Sequence, residues 1–328
     1  MATGYVPFAV VSVAVELGLF EALSEPRDTE AVAGILGADA DGVGRLLRAL
    51  VALEIVERDE RGWFSCPHAA VLARDADAGA LLLHHRRHVA PMFLQLGSVL
   101  ERGGRPHRAW EFAGPEPAPG LYDELARHPG EFDLFMRAMD RGGRGVGAHI
   151  AEAEDLTGCD RVLDLGGGGG AVARELLACV PGLSVVSVDL APACVYGRER
   201  AASTGLRNRH VFREGDLRAL PSDLAPAEVV LLAGVLADFP PDERALVMRQ
   251  ATSCLRPGGR LLVSETLLNS DRTSPVSAAL LSLMTYAAFG GDQLSREDVA
   301  ALFESVGLEW VAHHERGERG RDLVVGRL

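Results

Sequence analysis

Five consecutive glycines occupy positions 166–170, inside RVLDLGGGGGAVARELL. Glycine inside regular structure is less stable than alanine by about 1 kcal/mol, so such a run belongs at a turn that needs unusual backbone angles or a close approach. Val162-Leu163-Asp164-Leu165 precedes it, and Val172, Leu176 and Leu177 follow at helical spacing. That pattern predicts a buried strand, a tight turn and a helix start. The same unit then repeats. Strands are predicted over 161–165, 184–189, 210–214, 229–232 and 260–265, and helices near 171–180, 192–204, 242–255 and 295–305. Two last strands, near 308–314 and 322–326, flank the polar ERGERGR. Strands alternating with helices build an α/β fold, a mostly parallel sheet covered on both faces. Ligands in such sheets bind at the carboxyl ends of the strands.

The first third reads differently. Phe8, Val15, Leu19 and Leu23 share a helix face; Thr29 is placed to cap a second helix and Asp41 a third. EIVERDERGWFSC then supplies two short strands around a polar turn. Three helices and a hairpin make a winged-helix pattern over 1–105. A helix over 80–100 follows, then a Gly- and Pro-rich loop over 102–120, and a connector over 106–155. In that connector Phe132, Phe135, Met136 and Met139 line one apolar helix face. The sheet domain takes 156–328.

The chain of 328 residues carries a net charge of −13. A backbone-binding partner of DNA or of an anionic membrane is normally basic, so neither nucleic acid nor membrane is expected as a partner. The third helix offers only Arg45 and Arg48 as cations. Five scattered cysteines without a CxxC suggest neither a disulfide framework nor a zinc site. Glu16 interrupts the apolar N-terminus and no basic leader precedes it, so a cytoplasmic location is expected.

Glycine loops of this kind serve two ligand classes. Gly166, Gly168 and Ala171 satisfy the dinucleotide pattern G-x-G-x-x-G/A, whereas Asp164, Gly166, Gly168 and Gly170 satisfy D-x-G-x-G-x-G. The next acids discriminate. Asp189 ends the second strand, where a carboxylate can accept from both ribose hydroxyls. Gly215-Asp216 ends the third; an acid there can accept from an adenine amino group and is an awkward neighbour for phosphates.

VLDLGGGGG, SVDL, EGDL and LRPGGRLLVSE, in this order, resemble a class I S-adenosylmethionine-dependent methyltransferase. The winged helix, FMRAM and GGDQLSREDVAALFESVGL narrow the resemblance to the caffeate- and anthracycline-type O-methyltransferases of secondary metabolism. The resemblance implies a Rossmann-like seven-stranded sheet, S-adenosylmethionine as cofactor, a small, natural-product-like acceptor and a homodimer joined by the N-terminal helices. It implies that Gly166, Gly168 and Gly170 line the methionine arm, where a Cβ at Gly166 or Gly168 would strike it. Asp164 orients the loop or takes the ammonium through water, Asp189 with Leu190 holds the ribose, and Gly215, Asp216 and Leu217 frame the adenine. Phe135, Met139, Leu283, Met284, Phe289 and His88 map to the acceptor pocket.

The resemblance breaks where a proton should leave. The family histidine of HDW is Ala237 here, followed by Asp238 and Phe239, and the family glutamate of GG-x-E-R-T is Gln293. Alanine and an amide accept no proton at neutral pH. Glu265 is then the best-placed base; Asp238, the other candidate catalytic residue, is expected to serve the turn or the adenosyl side, and no metal is expected. His84 and His88 share a helix face next to Arg86 and Arg87 and read as surface. Without a strong base, methyl transfer rests mainly on positioning, and N- or C-methylation becomes possible beside O-methylation. Three other readings stay open: a cofactor-binding enzyme that transfers no methyl group, a non-catalytic partner subunit, and a nicotinamide dehydrogenase, which Asp216 disfavours.

Overall fold

A computed structural model describes residues 3–102, 121–317 and 320–328. Nearly all of the loop expected over 102–120 lies outside these described residues. The chain divides into two compact units, Met1–Pro91 and Met92–Leu328.

In the first unit, helices Tyr5–Glu16, Leu19–Ala22, Thr29–Leu36 and Ala40–Ala52 precede an antiparallel hairpin of β1 (Val56–Asp59) and β2 (Gly62–Ser65). Leu19, Phe20, Val32, Leu47, Leu50, Val56 and Trp63 form its core. The caps differ from expectation by one or two residues. Asp28, not Thr29, accepts from the Ala31 N–H, and Asp39, not Asp41, accepts from the Gly42 N–H. Thr29 instead takes the Trp63 indole N–H at 3.0 Å, and Asp41 pairs with Arg45. The single helix expected over 80–100 is broken: Ala76–His84 runs into a π-helical turn, His85–Val89, before Ala90–Leu94 and Leu96–Arg102.

The second unit carries a seven-stranded sheet. Its strands are β3 (Arg161–Leu165), β4 (Ser184–Asp189), β5 (His210–Glu214), β6 (Ala227–Ala233), β7 (Leu255–Glu265), β8 (Glu309–His314) and β9 (Asp322–Arg327). Their order is β5-β4-β3-β6-β7-β9-β8, with only the pairs β7–β9 and β8–β9 antiparallel. Side chains alternate between the two faces. Leu163 and Leu165 pack with Val230, Leu232, Val263 and the helices Pro241–Ser253 and Arg296–Ser305. Val162 packs with Val185, Leu231, Leu262 and the helices Val146–Ala153 and Ala171–Cys179. A sheet covered on both faces needs apolar residues at nearly every position, so Asp164, 1% exposed within β3, stands out.

Candidate active site

Two turns at the carboxyl edge of the sheet hold most of the residues that the sequence singles out. The first joins β3 to the helix Ala171–Cys179, and Gly166, Gly168 and Gly170 there have φ of +74°, +54° and +78°. What the glycines avoid is mostly protein. An added Cβ would stand 2.6 Å from Val235 at Gly166, 2.3 Å from Asp164 Oδ2 at Gly167, 2.6 Å from the Tyr196 ring at Gly169 and 2.2 Å from the His210 ring at Gly170. At Gly168 the nearest atom is Met136 Cε, 3.8 Å away. Val235 thus already forbids a side chain at Gly166, and Gly168 alone of the five faces open space among the described residues.

Asp189 reaches across from β4. Its Oδ2 accepts from the Gly168 N–H and its Oδ1 from the Leu190 N–H, both at 2.7 Å. Each oxygen keeps a second lone pair for a further donor. Burial pushes this carboxyl above its ordinary range. Leu190 is 43% exposed. Asp216 pairs with Arg218, with Oδ1 2.9 Å from Nε and Oδ2 2.8 Å from a terminal nitrogen. That guanidinium holds the carboxyl below its usual range. Leu217 is buried beside Gly166, and a Cβ at Gly215 would strike Pro221 and Val188.

The second turn follows β6 through Gly234 and Val235 into the 3-10 turn Leu236–Asp238. Glu265, 3% exposed, accepts from the Val235 and Leu236 N–H groups on one oxygen, both at 2.8 Å. The buried Arg244 donates to the carbonyls of Leu236, Phe239 and Asp292 at 2.9–3.0 Å. These two charges hold the backbone from below. Glu265 thus differs from the base expected of it; its carboxylate serves as an acceptor for the turn. Ala237 is buried, and its carbonyl takes the Asp292 N–H at 3.0 Å. Gln293, 3% exposed, donates to Thr285 Oγ1 at 3.0 Å, and no described residue bonds its Oε1.

Asp238 is half-buried, and its Oδ2 accepts from the Tyr122 hydroxyl at 2.8 Å. Burial pushes its carboxyl up to about 7, the Tyr122 bond opposing and the Glu265 charge reinforcing the shift. The Tyr122 ring stacks on Phe289 at 5.1 Å and 19° and meets Phe135 edge-on at 5.7 Å and 80°. Tyr122 escapes sequence reasoning because only folding brings it to a partner 116 positions away. Phe135 is buried, while Met139 is 37% exposed. Leu283 and Met284 are partly buried on the helix Val276–Phe289. His88 belongs to the first unit and is wholly buried, with its Nδ1 2.8 Å from that of His84. The surface reading of that pair is corrected. Among the described residues no group of three or more His, Cys, Asp or Glu could hold a metal ion, and no helix is long and apolar enough to cross a membrane.

A family model described as an O-methyltransferase domain matches residues 96–309, and one for an O-methyltransferase dimerisation domain matches residues 1–75. Acetylserotonin O-methyltransferase of Bos taurus is 29% identical over 99% of this chain and 95% of its own. The mitomycin biosynthesis 6-O-methyltransferase of Streptomyces lavendulae is 29% identical over 91% and 84%. The crystal structure of human N-acetylserotonin methyltransferase with S-adenosylmethionine superposes with a TM-score of 0.89, at 26% identity over 99% of this chain and 95% of that one. The residues present fit that cofactor. Gly168 leaves a cradle that a side chain would fill, and Asp189 stands beside it with lone pairs to spare. The chain belongs to the O-methyltransferase family with an N-terminal dimerisation domain, and it is an S-adenosylmethionine-dependent methyltransferase acting on a small molecule.

Proposed function

We propose that the methyl group goes to a hydroxyl on a flat aromatic natural-product precursor, and that Asp238 accepts the proton the hydroxyl loses. One observation carries the reading: a phenol already sits on Asp238. Tyr122 donates its hydroxyl proton to Oδ2 at 2.8 Å while its ring lies on Phe289 and against Phe135. An acceptor that takes the place of that ring finds the same aromatic wall and the same carboxylate. By the family resemblance Ala237 takes the place of the histidine base, so the nearest side-chain proton acceptor on this turn is the next residue.

S-adenosylmethionine, when bound, supplies an electrophilic methyl group on a sulfonium and leaves as the neutral thioether once an oxygen lone pair has taken that methyl. The protein positions the oxygen and removes its proton. A general base works best with a pKa near the working pH, and Asp238 is pushed up to about 7. Glu265 and Arg244 keep the turn rigid beneath it. At the other turn, Gly168 and Asp189 hold the cofactor's methionine and ribose parts, and Leu217 faces the adenine side. The N-terminal match to a dimerisation domain and the lack of a membrane-crossing helix among the described residues support a cytoplasmic homodimer.

The test is methyl transfer from labelled cofactor to a panel of phenols, matched arylamines and aryl carboxylates. Phenols should be methylated preferentially. Asp238→Asn should lower kcat by about 10²–10⁴-fold with cofactor affinity unchanged. The wild-type kcat should rise with pH through about 7, as the Asp238 carboxyl ionises. Preference for amines, or an Asn variant within threefold of wild type, would overturn the reading.

A further inference from the structure

Beneath the glycine turn lies a hydrogen-bonded chain that the methyl transfer, as described so far, does not use. Asp164 Oδ2 accepts from the Ser187 hydroxyl at 2.9 Å, and Ser187 Oγ lies 2.9 Å from His210 Nε2. All three side chains are buried: Asp164 is 1%, Ser187 0% and His210 3% exposed. They come from three adjacent parallel strands: Asp164 and Ser187 pair in register near the carboxyl ends of β3 and β4, and His210 opens β5, two positions further back, and reaches up to Ser187. The donors have one consistent direction. Ser187 gives its only proton to Asp164, so it must receive one from His210, which places the imidazole proton on Nε2. His210 Nδ1 is then a bare lone pair, and it has no partner among the described residues.

An isolated buried carboxylate is costly, and donors that favour the charged form stabilise it. The chain also touches the turn directly. Asp164 Oδ2 is the atom that a Cβ at Gly167 would strike at 2.3 Å, and the His210 ring is what a Cβ at Gly170 would strike at 2.2 Å. Three polar side chains thus fill the space under the turn that its missing side chains leave. No described donor meets Asp164 other than Ser187. The carboxylate therefore still lacks a cation, and the cofactor brings an ammonium to this turn.

We propose that Ser187 and His210 are positioning residues for the cofactor: they hold Asp164 as an anion under the glycine turn, ready for the ammonium of S-adenosylmethionine. The proposal rests on Asp164 serving that end of the cofactor. Burial and the Asp189 charge push Asp164 up to about 7, against the pull of Ser187, while burial and Arg174 push His210 down to about 4. His210 is therefore a neutral donor throughout the working range. Other titratable and charged groups near the turn are Tyr196 with Asp140 against Gly169, and Cys194, whose thiol donates to the Asp189 and Arg213 carbonyls.

The experiment is calorimetric titration of the full-length protein with S-adenosylmethionine from pH 6 to 9, in buffers of different ionisation heat. Wild type should release protons on binding near pH 7 and bind more tightly as pH rises. Ser187→Ala and His210→Leu remove the donors. Each one-unit rise in the Asp164 pKa weakens binding about tenfold at pH 6 and leaves it within about twofold at pH 9. His210→Gln, which keeps an N–H for Ser187, should follow wild type. Should Ser187→Ala not fold, the His210→Leu and His210→Gln pair carries the same comparison. An equal weakening at every pH, or unchanged curves in both donor-deleted variants, would overturn the relay. No proton release by wild type would instead overturn the role of Asp164 itself.

Discussion

The two turns at the carboxyl edge of the sheet are built on opposite principles. The turn after β3 owes its path to missing side chains. Four of its five glycines lie where a Cβ would hit Val235, Asp164, Tyr196 or His210. The turn after β6 owes its path to two buried charges. Glu265 takes two of its N–H groups, and Arg244 takes its Leu236 and Phe239 carbonyls. A backbone held by packing tolerates no added atom, whereas a backbone held by hydrogen bonds to buried charges depends on those two partners. The cofactor is common to the family and the acceptor is not. On the function proposed above, the packed turn serves the constant ligand, and the charge-held turn offers Asp238 to the variable one.

The sharpest way to break this contrast is Gly170→Ala. It combines a left-handed backbone with a collision against the His210 ring, and should cost about 3–5 kcal/mol, read by chemical denaturation. A stable variant would show that the first turn is soft. Next is Glu265→Ala, which leaves the Val235 and Leu236 N–H groups without their acceptor and should cost about 3 kcal/mol. Stability within about 0.5 kcal/mol of wild type would mean that Arg244 alone holds the second turn. Gly168→Ala sharpens the contrast from the other side. Only its φ of +54° resists a methyl group, so the protein should lose about 1–2 kcal/mol yet stay folded. Its S-adenosylmethionine affinity should collapse, because the added methyl fills the open cradle.

The smallest effect is the pH dependence of stability. Asp164 under the first turn and Asp238 in the second are both pushed up to about 7 by burial. Their folded pKa lies above the unfolded value of about 3.9, so the folded chain binds more protons between those limits. The stability they contribute is complete below pH 4 and is lost as pH rises through 7. The melting temperature of the ligand-free protein should therefore fall from pH 5 to 8, and less steeply in Asp164→Asn and Asp238→Asn. Equal slopes in wild type and both variants would show that neither acid is desolvated by the fold.

Much of this architecture is readable in the chain before folding. All seven strands and the four helices expected in the sheet domain fall within a few residues of their predicted places, because periods of 2 and 3.6 are local properties. The helix caps slipped because Asp28 and Thr29 are both good capping residues, and only the backbone chooses between them. The break at His85–Val89 precedes Pro91, which has no N–H for the Arg87 carbonyl and whose ring crowds it, a signal that the expectation of one unbroken helix passed over.

By itself, then, the sequence determined the order of elements, the glycine turn, the placing of acids at or just after the ends of the first three sheet strands, and the kind of cofactor, since each is carried by a short contiguous stretch. Tertiary structure alone decided which atoms oppose the missing side chains, that Glu265 holds a backbone, and that Tyr122 lies on Asp238. It also decided that Ser187 and His210 stand under Asp164. Those outcomes join residues tens of positions apart, and no local pattern records a contact that exists only after parallel strands line up in register.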